Sequence, residues 1–157
     1  MRRWPTRVVA RIFAIMLIAM SAAALAAPTP ERFDGRTWGQ LSGAPPRPAI
    51  VVFSTTDCAH CPAVIRKLAS GKSRYSADLF AVVMDGGPSI AGKTPYRLAD
   101  RVFVFDGNEQ ALRYSVNPDW RGVTPYIALL APGRPVKYLV GPPAERDLQA
   151  FFASRKQ

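Results

Sequence analysis

Short apolar runs, separated by polar stretches and by glycine or proline, organise the chain from residue 48 onward. Pro48-Ala49-Ile50-Val51-Val52-Phe53-Ser54 is apolar and β-branched, the pattern of a buried central strand. Thr55, Thr56 and Asp57 are turn and N-cap residue types. Val64, Ile65 and Leu68 then fall on one helical face, which predicts a helix from about residue 58 or 61 to residue 69, ended by Gly71. Leu79 to Met84 and Val102 to Phe105 read as further strands, with Asp106 capping a short helix that contains Ala111, Leu112 and Tyr114. Tyr126-Ile127-Ala128-Leu129-Leu130 and Val136 to Val140 flank Pro132-Gly133, the pattern of a hairpin. Ala144 to about Ser154 is an amphipathic helix with Leu148, Phe151 and Phe152 inward.

Ahead of this lies different material. Residues 27–47 are rich in Pro, Gly and polar types and read as an irregular lead-in with room for one short strand, docked through Phe33, Trp38 and Leu41. Residues 1–26 have the order of a secretory signal peptide: Arg2, Arg3, Arg7 and Arg11, an apolar run from Ile12, then Ala24-Leu25-Ala26 as a small-x-small cleavage site. The run is short for a spanning helix, which needs about 20 residues, so an uncleaved membrane anchor is the lesser alternative. Residues 48–157 are then one domain, exported to the periplasm.

Export changes the reading of charge. Four of the 21 basic residues lie in the leader, leaving 17 against 11 acidic ones, a net +6. That is modest and scattered, with no basic run interleaved with aromatics, so nucleic acid is not an expected partner. The two cysteines, Cys58 and Cys61, stand three apart in a compartment where disulfides form. So small a loop gains little from stapling, and the spacing makes better sense as chemistry. At a helix N-terminus the unpaired N–H groups and the dipole lower a thiol pKa. Cys58 is the expected exposed nucleophile, and Cys61 the residue that resolves the mixed disulfide.

Strand, turn and Cys58-Ala59-His60-Cys61, followed later by Gly122-Val123-Thr124-Pro125-Tyr126 at the head of a strand, resemble the thioredoxin-like superfamily over about residues 36–155. The resemblance implies an α/β fold with a central mixed β-sheet flanked by helices. It also implies that Pro125 is a cis-proline facing the dithiol and that Thr124 offers backbone hydrogen bonds to a substrate chain. Val102 to Asp106 with Tyr114-Ser115-Val116 is similar to the exported TlpA-like branch, whereas Ala59-His60 is similar to the Dsb-type oxidases. His60 can favour a Cys58 thiolate, although a solvated helix-start histidine is its plainer reading.

Three positions depart from the pattern. Asp57 replaces a frequent aromatic residue, and its charge opposes the thiolate. Val52 stands where many members carry a buried acid, and Pro62 follows the second cysteine directly. A first-turn proline costs little, so the helix can begin there. Trp120 is kept as a possible substrate-facing residue. Gly87 to Thr94 fits a phosphate-loop pattern, but Pro95 and the few residues before the next strand leave no helix to hold phosphates, so it reads as a surface loop.

The reading is thiol–disulfide exchange on extracytoplasmic protein substrates, catalysed by Cys58 and Cys61, tuned by His60, and docked at Thr124 and Pro125. No metal or other cofactor is required, a membrane redox partner is expected, and the protein acts as a monomer. A non-catalytic or copper-delivering module on the same fold is the alternative, since soft thiolates suit Cu(I). The direction of exchange stays open because Asp57 and His60 act oppositely on the thiolate.

Overall fold

A computed structural model describes residues 28–105 and 107–153. Residues 1–27, which include the leader, together with Asp106 and residues 154–157 lie outside the described residues, and with them the expected Ser154 end of the last helix. The elements run β1 (Glu31–Phe33), α1 (Gly35–Gly43), β2 (Ala49–Ser54), α2 (Cys61–Gly71), β3 (Asp78–Val83), β4 (Arg101–Phe105), α3 (Glu109–Val116), β5 (Tyr126–Leu130), β6 (Lys137–Val140) and α4 (Glu145–Phe152). Single 3₁₀ turns follow α2 and break the β3–β4 connection at Pro88–Gly92 and Tyr96–Leu98.

The strands form one six-stranded sheet in the order β1-β4-β3-β2-β5-β6. β1, β4, β3 and β2 run parallel, whereas β5 pairs with β2 and with β6 in antiparallel fashion. This is the mixed α/β sheet expected, and its centre falls where the apolar run is purest: every residue of β2 is buried. Strand alternation sorts β2 between two cores. Ile50 and Val52 meet Val64, Ile65 and Leu68 of α2 and Leu148 and Phe151 of α4. Val51 and Phe53 face the other way, into a layer with Phe33, Trp38, Phe103, Leu112, Trp120 and Tyr126.

Two expectations are corrected here. The lead-in holds the one short strand it had room for, β1, at the sheet edge beside β4, but also the nine-residue helix α1, which an irregular segment does not predict. Asp34 caps that helix by accepting the Thr37 N–H at 2.8 Å. Phe33 and Trp38 are buried as proposed, and it is their place in the aromatic layer that orders the segment. The cap of α3 is Asn108, whose side chain accepts the Ala111 N–H at 2.9 Å; the helix thus starts later than a cap at Asp106 implies.

The hairpin forms as predicted, with Gly133 at φ +67° in its turn. Tyr138 on β6 ties it to the opposite layer by donating to the Val116 carbonyl at 2.5 Å. Burial, reinforced by nearby Tyr126, pushes the Tyr138 phenol up to about 12. A raised folded-state pKa holds the proton in the native state while the unfolded chain releases it near pH 10. Stability is therefore fully present below pH 10 and declines as pH rises from about 10 to 12. Tyr138→Phe is expected to cost about 1 kcal/mol at neutral pH through the lost hydrogen bond, yet to lose less stability than the parent between pH 9.5 and 11.5. Chemical denaturation at the two pH values checks this, and parallel losses in both proteins contradict it.

Candidate functional site

β2 delivers the chain to the carboxyl edge of the sheet, where the Cys58 N–H closes a turn onto the Thr55 carbonyl at 3.3 Å. The helix starts at Cys61, with Pro62 in its first turn, so of the two starts the pattern allows the later one forms. Cys58 and Cys61 are joined as a disulfide, with Cα atoms 5.4 Å apart. Cys61 is fully buried and Cys58 half-buried. The Cys61 N–H also points at Cys58 Sγ, at 3.2 Å. That donor, at the first turn of α2, is shared with the Cys58 carbonyl, also at 3.2 Å, so a negative charge at Cys58 Sγ has part of a hydrogen bond and the positive end of the helix dipole beside it. The asymmetry is what exchange chemistry needs: one sulfur reachable from solvent, the other sheltered behind it.

His60 occupies the N-cap position of α2, is exposed, and makes no side-chain capping bond. Residues 55–57 form the expected turn, but Asp57, exposed within it, is not the cap: the N-cap position of α2 is His60. Thr56 is instead engaged across the sheet edge by Asp85. The carboxylate accepts the Thr56 N–H at 2.8 and 3.0 Å and its hydroxyl at 2.6 Å. Below this turn, Ser54, fully buried, shares a hydrogen bond of 3.0 Å with the Tyr96 hydroxyl. Burial raises the Tyr96 pKa. Val52, at the position where an acid is often found, is sealed in the core. Neither Asp85 nor Tyr96 was among the expected site residues, although an Asp immediately after a parallel strand that neighbours the cysteine strand is the signal that points there.

The 121–125 segment reaches the same edge. The antiparallel register that sets Phe53 opposite Tyr126 carries Thr124 to Thr55, and their hydroxyls lie 3.2 Å apart. The Thr124–Pro125 peptide is cis, Pro125 is buried, and its carbonyl accepts the Gly141 N–H at 2.9 Å. Gly122 has φ +85°, a backbone conformation that favours glycine, and a Cβ there would also push aside the end of the flexible Arg113 side chain. Trp120 is packed inside rather than presented at the surface. It is buried, stacked on Tyr126 at 4.4 Å between ring centroids, and donates its indole N–H to the Val123 carbonyl at 3.1 Å. These contacts tie the segment to the aromatic layer. Within residues 87–94 the only helical element is the 3₁₀ turn Pro88–Gly92, not the helix a phosphate loop needs.

No protein-family model and no curated protein matches the chain. Solved structures do. A thioredoxin-like protein in its oxidized form aligns at TM-score 0.53 and 17% identity, over 83% of this chain and 97% of the other. A secreted Mycobacterium tuberculosis disulfide oxidoreductase homologous to E. coli DsbE aligns at TM-score 0.52 and 17% identity, over 84% of this chain and 98% of the other. The fold is thioredoxin-like. The N-terminal domain of PilB from N. meningitidis, in its reduced form, aligns at TM-score 0.50 and 20% identity over 76% and 97% of the respective chains. Within the thioredoxin-like fold of this chain, the Cys58–Cys61 pair, the Thr124–Pro125 peptide and Asp85 follow β2, precede β5 and follow β3 respectively, three neighbouring strands of one sheet. Among the described residues, no group of three or more His, Cys, Asp and Glu side chains converges as metal ligands, and no helix is long and apolar enough to cross a membrane.

Proposed function

We propose that the protein exchanges disulfides with extracytoplasmic protein substrates through Cys58 and Cys61. The observation that carries this reading is the Cys58–Cys61 disulfide at the start of α2, with one sulfur half-exposed and the other buried. In the reducing direction the Cys58 thiolate attacks a substrate disulfide. One S–S bond forms between Cys58 and substrate, and the substrate's own S–S bond breaks to release a thiolate. Cys61, as thiolate, then attacks Cys58 Sγ; the intramolecular disulfide closes and the second substrate sulfur leaves. Two electrons pass to the substrate. The oxidising direction is the same sequence reversed. His60 tunes the Cys58 thiolate, and Thr124 with Pro125 docks the substrate backbone. The basic and apolar leader supports export to the periplasm, where a membrane redox partner resets the couple.

Cys61→Ala tests the reading. With the resolving sulfur gone, Cys58 should accumulate as a mixed disulfide with protein partners, seen as reducible higher-mass bands after acid quenching of cells. If no such adduct forms, and the wild-type dithiol instead binds Cu(I) tightly in a competition titration, the copper-delivering alternative takes its place. The reduction potential of the wild-type couple then sets direction. A value near about −120 mV marks an oxidant and one near about −270 mV a reductant.

A further inference from the structure

We infer that Asp85 is a positioning residue for the dithiol, acting through Thr56 to hold the turn that presents Cys58 to the N-terminus of α2. This deepens the exchange reading and rests on it. Asp85 is the first residue beyond the last ladder bond of its strand, where the Met84 N–H meets the Ser54 carbonyl at 2.9 Å. Its carboxylate takes both donors of Thr56, two residues before Cys58. The backbone behind it is shaped for that placement: a Cβ on Gly86 would lie 2.9 Å from buried Val83 Cγ1. Asp85 thus crosses from β3 to the β2–α2 turn as a three-bond clamp on a segment that no regular structure holds.

The clamp matters unequally in the two redox states. In the oxidised protein the covalent bond to Cys61 fixes Cys58 whatever the turn does. In the reduced protein only the turn is left to keep Cys58 Sγ near the Cys61 N–H, which stands 3.2 Å away in the oxidised form. Losing the clamp therefore weakens the reduced, thiolate-bearing state in particular, raising the Cys58 pKa and moving the couple toward the reducing side. The charge of Asp85, like that of Asp57 and opposite to a protonated His60, acts the other way: deleting a negative charge alone favours the thiolate. The two roles have opposite signs.

The test is the pH dependence of Cys58 alkylation by iodoacetamide in the reduced protein, which needs no physiological partner. Asp85→Ala should raise the Cys58 pKa by about one unit, a roughly tenfold slower alkylation at neutral pH. Asp85→Asn, whose amide can still accept the Thr56 N–H, should stay within about twofold of the parent. Thr56→Val keeps the charge and the N–H bond but removes the hydroxyl bond, and should slow alkylation by about threefold; it stands in if the alanine variant fails to fold. Faster alkylation in both Asp85 variants would show a charge effect only and overturn the inference. So would unchanged rates in Asp85→Ala, or in Thr56→Val if it is the variant that folds. If Cys61→Ala traps no partner while the Asp85 and Thr56 variants show the alkylation pattern above, the exchange reading falls and the clamp stands.

Discussion

Cys58→Ala is expected to abolish exchange with a protein disulfide while leaving the fold in place. The sulfur of Cys61 cannot substitute, because it sits in a fully buried residue. Loss of a covalent nucleophile lowers turnover by about three orders of magnitude or more. Stability should hardly follow. Closing so small a ring restricts the unfolded chain by only about 2 kcal/mol on the loop-entropy account, against a total of about 5–15 kcal/mol for a domain. Turnover of insulin or a comparable protein disulfide, beside a denaturant titration of the oxidised parent and the variant, measures both quantities. A variant that loses half or more of the parent's stability would make the disulfide a staple, and the case for chemistry would fall with it.

Much of this was readable without coordinates, for a local reason. The dithiol and its helix start lie within a few residues of each other, so spacing alone exposes them. β2, β3 and β5 are buried on both faces and read as continuous apolar runs. Where bonding partners are distant in sequence, periodicity says little. β1 is three residues long with only Phe33 buried, and α1 carries Gly35, Gly39 and Gly43, a composition that disfavours a helix. Tertiary packing of Phe33 and Trp38 overrides that preference. Trp120 looks from the sequence like a free aromatic beside the docking segment, and only the return of the chain onto Tyr126 shows it stacked and spoken for. Asp85 escapes for the same reason, since its grip on Thr56 depends on β3 lying next to β2. The departures at Asp57 and Val52 are visible in sequence, yet their structural outcome differs: Asp57 is solvent-exposed and Val52 is sealed in the core.

The largest loss of stability is expected from Phe53→Ala. Phe53 is fully buried on the central strand, and its ring meets Phe33 at 5.7 Å, Trp38 at 5.8 Å, Trp120 at 5.0 Å and Tyr126 at 6.3 Å between centroids. It is therefore shared by β1, α1, the 120–125 segment and β5. Removing such a ring from a close-packed core costs about 3–5 kcal/mol, the transfer loss plus an unfilled cavity. Phe53→Leu, which keeps most of the volume, should cost under about 1.5–2 kcal/mol. Urea titrations should show midpoint shifts in that order with little change in slope. The consequence for chemistry is indirect but readable. Trp120 holds the Val123 carbonyl, so a loosened aromatic layer frees the segment that ends at Pro125, while the dithiol turn keeps its own bonds to Thr55 and Asp85. The alkylation rate of reduced Cys58 should then stay near the parent's in Phe53→Leu while turnover of a protein disulfide falls. Equal losses in both would mean that the aromatic layer supports the turn itself, and that docking and nucleophile are not separately held.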